Sequence, residues 1–235
     1  MMNLDSVKTV AVIPAAGSGI RMQSDRAKQF LNIEERPLLA VTLTPFQDCR
    51  EVEAIVLVVP SDDVKYCREE IVRRFGFTKV QKVIAGGERR QDSVRFGLEA
   101  TEGKYDIVLI HDGVRPVIEK GLLRTVIKAA MTHRAVITAL PAKETVKEVN
   151  DRHEVVRTYE RQRVWMVQTP QAFHYQDILK AHRQAIEEGW EEATDDARLM
   201  ERLGVPVKVV EGSERNIKVT TPYDLELARF LLGKR

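Results

Sequence analysis

The chain has 235 residues, and its 37 Lys and Arg residues against 35 Asp and Glu residues leave a formal net charge of only +2. This near balance argues against a nucleic-acid-binding surface, which usually carries a marked excess of positive charge. Hydrophobic residues make up 43% of the chain, which excludes disorder of the whole sequence. The length fits one large α/β domain or two small ones.

Two further features bear on the compartment. No segment approaches the ~20 apolar residues of a spanning helix, and the N-terminus lacks the charged start and apolar run of a signal peptide. Cys49 and Cys67 have neither CxxC spacing nor a histidine at metal-ligand spacing, which favours ordinary reduced side chains. We therefore expect a cytoplasmic protein without a membrane partner.

Short runs rich in Val and Ile alternate with longer amphipathic segments, a pattern typical of a mostly parallel, twisted sheet flanked by helices. We predict strands at 9–13, 54–59, 79–85, 107–111, 135–140 and 205–210. We predict helices at 37–47, 62–75, 90–101, 119–131, 175–188, 195–203 and 222–232. Thr194 and Thr221 are placed to cap the last two helices.

The segment 143–158 breaks this alternation. It consists of two short polar strands around Asn150 and Asp151, which predicts a β-hairpin that projects from the sheet as a surface flap or a dimerisation arm. The sequence has no Gly-, Ser- or Pro-rich linker, so residues 1–235 are expected to form a single domain with 143–158 as an excursion.

The first predicted strand runs into the sequence PAAGSGIRM at 14–22. Small residues let the backbone approach a ligand and present its N–H groups to phosphate oxygens. The small residues here are Ala15, Ala16, Gly17, Ser18 and Gly19. Arg21 adds a guanidinium to the same loop, and Lys28 in AKQF is a second cation close in sequence. A tight turn without a ligand is the alternative.

This loop differs from the two common phosphate-binding patterns. A Walker A loop requires Gly-Lys-Ser/Thr at its end, whereas Ile20 follows the last glycine here. A dinucleotide fingerprint requires a third glycine where this chain has Met22. Both patterns are therefore disfavoured.

The sequence HDGVRP at 111–116 follows the predicted strand 107–111. An acidic residue at the carboxyl end of a parallel strand lies where α/β sheets bind ligands, so Asp112 could hold a divalent metal and Arg115 an anionic substrate. The alternative is that Asp112 caps a turn at Gly113 and Pro116.

Two further segments carry polar groups near predicted strand ends. AGGERRQDS at 85–93 offers a glycine loop with Ser93, and NIKVT at 216–220 places Lys218 among apolar residues. The sequence has no HExxH or GxSxG motif. Cations, one carboxylate and backbone amides remain, and this set of groups suits phosphoryl or nucleotidyl transfer.

Taken together and in order, PAAGSGIRM, KQF, AGGERRQDSV, HDGVRP, QTPQAF, TDDA and NIKVT resemble the 2-C-methyl-D-erythritol 4-phosphate cytidylyltransferase family over essentially the whole chain. The resemblance implies a Rossmann-like nucleotidyltransferase fold and a homodimer. It also implies CTP as co-substrate and Mg²⁺ or another divalent cation as cofactor. The products would be 4-diphosphocytidyl-2-C-methyl-D-erythritol and pyrophosphate, in non-mevalonate isoprenoid biosynthesis.

The resemblance also implies roles for individual residues, carried over motif by motif. Ala15 to Gly19 would wrap the CTP phosphates, while Gly87 and Ser93 hold the cytidine. Arg21, Lys28 and Lys218 would be the catalytic cations, and Asp112 the metal ligand. The methylerythritol phosphate would contact Asp112, Arg115, Thr145, Arg161, Thr169, Thr194 and Lys218. Thr145 and Arg161 fall where the family's arm reaches the substrate of the neighbouring subunit, which makes the 143–158 hairpin a dimer element.

Two departures and two alternatives remain. The chain has Glu88 where the family often has Asp, and TDDA where TDEA is commoner. One alternative is a ribitol-5-phosphate cytidylyltransferase, which the PAAG opening, TDDA and NIKVT disfavour. The other is a non-catalytic nucleotide-binding module, since a fold does not fix a function.

Overall fold

The computed structural model describes residues 7–17, 27–190 and 193–233 of the chain. Strands, numbered in chain order, are β1 (Thr9–Pro14), β2 (Asn32–Ile33), β3 (Arg36–Pro37), β4 (Ala54–Val59), β5 (Val80–Ala85), β6 (Ile107–Ile110), β7 (Ala135–Pro141), β8 (Lys147–Val149), β9 (Val155–Thr158), β10 (Trp165–His174) and β11 (Val207–Glu211). Seven of them form one sheet in the order β11-β7-β10-β6-β1-β4-β5.

The sheet is mixed but mostly parallel, as predicted. β1 pairs in parallel with β4 and β6, β4 with β5, and β7 with β11. All six predicted strands are present, with ends shifted by two residues at most.

The antiparallel β10, between β6 and β7, was not predicted. Its sequence contains Pro170, and a proline argues against a central strand because it cannot donate to the ladder. The register with β7 shifts between Gln168 and Gln171, which accommodates the proline.

The helices are α1 (Leu38–Asp48), α2 (Val64–Tyr66), α3 (Arg90–Ala100), α4 (Lys120–Ala130), α5 (Tyr175–Glu187), α6 (Ala197–Arg202) and α7 (Pro222–Gly233). The prediction of one helix over 62–75 was inexact. A 3₁₀ turn at Ser61–Asp63 precedes α2, and a π-helical segment, Cys67–Arg73, follows it. There the N–H of Arg74 donates to the carbonyl of Glu69, five residues back.

The two predicted helix caps have different outcomes. The N–H of Asp224 donates to Thr221 Oγ1 at 3.2 Å, so Thr221 caps α7 as predicted. Thr194 as a cap was wrong, because α6 begins only at Ala197. The carboxylate of Asp195, rather than the Thr194 hydroxyl, accepts the N–H of Arg198 at 3.2 Å.

Helices cover both faces of the sheet, and the alternation along β1 shows how. Ala11 and Ile13 pack in one core with α1 and α4, whereas Val10 and Val12 pack in the other with α3, α5 and α6. A Cβ at Gly97 would lie 2.4 Å from Val12 Cγ1, so glycine is required for α3 to lie this close to β1.

The predicted hairpin is present as β8 and β9, whose residues are all exposed. Asn150 forms its turn, because Asn150 Oδ1 accepts the N–H groups of Arg152 and Glu154, both at 3.0 Å. The role of the hairpin as a dimerisation arm stays a prediction. No helix in the described part of the chain is both long and apolar enough to span a bilayer.

The winding of the chain fixes where a ligand can bind. From β1 the sheet grows through β4 to β5, and the chain then crosses to β6 on the other side of β1. In open α/β sheets, ligands bind at such a switch point, outside the carboxyl ends of the strands. The loops that follow β1, β5 and β6 lie at this edge.

Candidate active site

These three loops pack closely against one another, and two glycines make the close packing possible. A Cβ at Gly86, after β5, would lie 2.4 Å from Ala16 Cβ, and one at Gly113, after β6, would lie 2.7 Å from Ala15 Cβ. Both positions therefore require glycine. The small residues of the first loop serve at least two purposes, since they also let the neighbouring loops approach.

Two cavities open at this edge of the sheet, and they bring most of the predicted site residues together. The first cavity is lined by Ala15, Ala16, Gly17, Lys28, Gly87 and Ser93. The second is lined by Arg115, Thr169 and Thr194. Three residues line both cavities, namely Arg90, Asp112 and Lys218, and we call them the shared wall. A group bound in one cavity would meet a group bound in the other across it.

Opposite charges hold the shared wall together. Asp112 Oδ1 accepts from Arg90 Nε at 3.2 Å, and Asp112 Oδ2 lies 2.9 Å from Lys218 Nζ and 3.6 Å from Arg115 Nε. Burial by itself raises the pKa of Asp112, but Arg90, Lys218 and Arg115 more than offset it and hold the pKa well below its usual range. Asp112 is therefore ionised at any physiological pH.

Arg90 is a site residue that sequence reasoning missed. Its guanidinium spans two carboxylates, with Nη2 2.8 Å from Asp196 Oδ2 and Nε on Asp112. Asp196 is 1% exposed and lies 3.4 Å from the buried His182. The signal was the ERRQ sequence, but two adjacent arginines did not reveal that Arg90, rather than Arg89, lines both cavities.

Thr169 lies at the centre of a buried hydrogen-bond chain. His111 Nε2 lies 3.1 Å from the carbonyl of Arg115, which can only accept, so Nε2 carries the proton. His111 Nδ1 therefore accepts from the Thr169 hydroxyl at 3.1 Å, and Thr169 Oγ1 accepts the N–H of Asp112 at 3.1 Å. Burial lowers the pKa of His111 to about 4, which keeps the imidazole neutral, as this arrangement of hydrogen bonds requires.

Asn216 fixes the segment that carries Lys218. Its carbonyl accepts from Arg115 Nη1 at 2.8 Å, and its Nδ2 donates to the carbonyl of Thr169 at 2.7 Å. The N–H of Val219 donates to the carbonyl of Val114 at 2.9 Å. Lys218 is thereby held over the loop after β6, although about a hundred residues separate the two in sequence.

Ser93, predicted as a cytidine contact, also shapes the loop after β5. The N–H of Gly87 donates to Ser93 Oγ at 3.1 Å, and the Ser93 hydroxyl donates to the carbonyl of Arg89 at 3.2 Å. Glu88, one of the departures from the family pattern, also lines the first cavity.

The structure does not place every predicted site residue at the two cavities. Ser18, Gly19 and Arg21 lie outside the described residues. Thr145 and Arg161 are exposed and line neither cavity of their own chain. Arg161 Nη1 instead donates to the carbonyl of Lys143 at 2.7 Å, near the base of the hairpin.

The shared wall offers few ligands of its own to a divalent cation. Among the described residues, no three His, Cys, Asp or Glu side chains are grouped as a metal site. Mg²⁺ in phosphate chemistry is usually held by one or two carboxylates and completed by substrate phosphates and water. One ionised carboxylate, Asp112, on a wall shared by two cavities fits that mode of binding.

A sheet-edge site with two adjoining cavities, a small-residue loop and cations around one carboxylate suits nucleotidyl transfer. This class of reaction depends mainly on positioning and on stabilising charge.

Comparison with known proteins gives the family. The model of the 2-C-methyl-D-erythritol 4-phosphate cytidylyltransferase (IspD) family matches residues 9–234, and the chain belongs to this family. The enzyme of that name from Syntrophus aciditrophicus is 47% identical over 97% of both chains, and that from Desulforamulus reducens is 45% identical over 96% of both.

Solved structures agree. A crystal structure of 4-diphosphocytidyl-2C-methyl-D-erythritol synthase from Anaerococcus prevotii has a TM-score of 0.85, with 33% identity and 98% of each chain covered. A crystal structure of 2-C-methyl-D-erythritol 4-phosphate cytidylyltransferase from Thermus thermophilus has a TM-score of 0.76, with 34% identity over 95% of this chain and 98% of that one. The predicted family and fold are confirmed.

Proposed function

We propose that the chain transfers CMP from CTP to 2-C-methyl-D-erythritol 4-phosphate in isoprenoid biosynthesis. CTP binds in the first cavity and the polyol phosphate in the second. The observation that supports this best is the shared wall, since Arg90, Asp112 and Lys218 line both cavities. The family and the names of its relatives favour this acceptor over ribitol 5-phosphate.

The reaction is a direct displacement. An oxygen of the acceptor's phosphomonoester forms a bond to the α-phosphorus of CTP. The bond from the α-phosphorus to the oxygen that bridges the α- and β-phosphates breaks. Pyrophosphate leaves with that electron pair, so atoms and charge balance without a proton transfer. No general base is required, because a phosphomonoester with a second pKa of about 6 is largely dianionic at pH 7.

Repulsion between two anionic substrates is the main obstacle, and cations from both cavities reduce it. Lys28 lines the first cavity, Arg115 the second, and Lys218 both. Arg21 completes the set on the strength of its position in PAAGSGIRM. Charge that builds on the pentavalent phosphorus is stabilised best by groups fixed in advance, and the contacts of Asn216 fix Lys218 and Arg115.

Asp112 would hold Mg²⁺ together with the substrate phosphates. When bound, the cation neutralises phosphate charge and polarises the α-phosphate. Arg90 keeps the carboxylate of Asp112 oriented, because Asp196 anchors the other end of the guanidinium.

The remaining predicted residues bind the two substrates and shape the cavities. Ala15, Ala16 and Gly17, with Ser18 and Gly19, cradle the triphosphate through backbone N–H groups, and Gly87 and Ser93 hold the cytidine. Thr169 and Thr194 line the second cavity and contact the polyol phosphate.

The working form is a homodimer joined through the 143–158 arm. Large apolar side chains are exposed along the arm and the start of β10, namely Val149, Val155, Val156, Trp165, Met166 and Val167. Such a surface is typical of an interface. Thr145 and Arg161, which lie away from their own cavities, would then reach the polyol phosphate of the neighbouring subunit.

A cytoplasmic location suits the two buried free thiols, Cys49 and Cys67.

Pyrophosphate release tests this function. The purified protein is incubated with CTP and Mg²⁺, and with methylerythritol phosphate, ribitol 5-phosphate or no acceptor. We expect release with methylerythritol phosphate at a kcat/KM at least a hundredfold above that with ribitol 5-phosphate. Turnover of ribitol 5-phosphate alone would overturn the acceptor assignment. Absence of release with either acceptor, while CTP still binds, would indicate a binding module.

A further inference from the structure

Gln29 occupies a fixed position beside the first cavity. It lies in the 3₁₀ turn Lys28–Phe30 between Lys28 and Phe30 and lines the cavity, and it is 1% exposed. Phe30 anchors this turn, because its ring packs edge-on against Tyr66 with centroids 5.2 Å apart. The turn that carries Gln29 is therefore held in place before any ligand arrives.

The Nε2 atom of the Gln29 amide has no hydrogen-bond partner. Among the described residues that line the first cavity, Gln29 Nε2 is the buried side-chain atom without a hydrogen bond. Buried polar groups are nearly always paired, and an unpaired one destabilises the fold. A buried donor of this kind at the wall of a ligand cavity needs an acceptor that the bound ligand can supply.

The neighbouring chemistry identifies that acceptor. An amide N–H only donates, and the positively charged Lys28, directly before Gln29, lines the same cavity. An anionic oxygen can accept a hydrogen bond from the amide and at the same time pair with the neighbouring positive charge. The proposed function places the CTP triphosphate in this cavity, and the following inference rests on it.

We propose that Gln29 is a further substrate-binding residue, whose Nε2 donates a hydrogen bond to a phosphate oxygen of CTP. The neutral amide adds a directional contact beside the charge of Lys28. Bound CTP satisfies a donor that the free protein leaves unpaired, so this contact favours binding and costs the free protein stability.

Gln29→Met separates these two effects. Methionine has nearly the same shape but no donor, so the free protein should be as stable in urea as the wild type, or more stable. Calorimetric titration should give CTP binding weakened about tenfold to a hundredfold, the range for a hydrogen bond to a charged group. Affinity for cytidine, measured in competition with CTP, should not change, because cytidine has no phosphate.

Gln47→Met is the matched control. Gln47 lies outside both cavities, and its amide is paired at both ends, with Nε2 on Thr78 Oγ1 at 2.9 Å and Oε1 accepting the N–H of Lys79 at 3.0 Å. The same substitution there should lower stability and leave CTP binding unchanged. Gln29→Met should therefore weaken CTP binding without loss of stability, and Gln47→Met should lower stability without weakening CTP binding.

Three results would overturn the inference. Wild-type CTP affinity in Gln29→Met would show that no contact exists, and a loss of stability like that of Gln47→Met would show an internal partner. An equal loss of cytidine affinity would place the contact on the nucleoside. If the wild type itself fails to bind CTP, the proposed function fails with it, and that result differs from a variant that binds as well as the wild type.

Discussion

Replacing Lys218 with methionine removes one positive charge from the shared wall while keeping most of the length of the side chain. Lys218 Nζ lies 2.9 Å from Asp112 Oδ2, and its side chain is 39% exposed. Asp112 keeps two other cationic partners, Arg90 and Arg115, so its charge stays compensated in the variant. We therefore expect the free energy of unfolding to fall by less than about 1 kcal/mol.

The effect on the reaction should be much larger. One unit charge acting on another at ~4 Å contributes about 4 kcal/mol at an effective dielectric constant of ~20. Exposure of Lys218 to solvent reduces this to about 3 kcal/mol, in line with the removal of one donor from an oxyanion hole. Because the developing charge exists only in the transition state, we expect kcat to fall about a hundredfold.

The assay is steady-state pyrophosphate release, with Lys120→Met as the control. Lys120 Nζ lies 3.0 Å from Asp48 Oδ2, so it forms a comparable ion pair, but neither residue lines the two cavities. The control should turn over at the wild-type rate. A folded Lys218→Met protein with kcat within threefold of wild type would refute the reasoning.

Three more perturbations follow from the structure. Asp196→Asn should lower the free energy of unfolding by about 3 kcal/mol in urea, because Arg90 loses a buried charge partner, and a loss below 1 kcal/mol would contradict this. Val156→Asp should give a monomer in light scattering and reduce turnover, whereas an active dimer would contradict the role of the arm. Burial raises the pKa of Cys67 to about 12 and also raises that of Cys49. Both thiols should therefore react with a disulfide reagent at pH 8 only after unfolding, and their contribution to stability should fall as the pH rises above ~8.5; rapid labelling of the folded protein would contradict this.

Much of the fold could be predicted because its strands are buried on both faces. Continuous Val and Ile runs such as 54–59 and 107–110 have few other interpretations in a chain of this composition. The hairpin was also predictable, since Asn150 sits between two polar strands and its side chain forms the turn.

β10 could not be recognised from the same rules. Its polar residues and Pro170 are compatible with a central strand only because the register with β7 shifts at that point. The Thr138 hydroxyl also donates to the carbonyl of Pro170 at 3.1 Å. These contacts come from a strand distant in sequence, so a local pattern does not reveal them.

The residues of the candidate site likewise divide into those that the sequence predicted and those that it did not. Loop motifs indicated Lys28 and Asp112, because a small-residue loop or an acidic residue after a strand has a position that topology fixes. Lys218 received its role only from the family resemblance. Arg90 was missed because its partner Asp196 lies on a segment more than a hundred residues further along the chain. The importance of Gln29 is visible only from its buried, unpaired amide.

The central claim is that the acceptor's phosphate attacks the α-phosphorus of CTP directly across the shared wall. The stereochemistry at that phosphorus tests it, with a CTP analogue carrying sulfur in place of one α-phosphate oxygen and methylerythritol phosphate as acceptor. A single in-line displacement predicts inversion of configuration in the product. Retention would require two displacements through a covalent cytidylyl-enzyme, and would contradict the account.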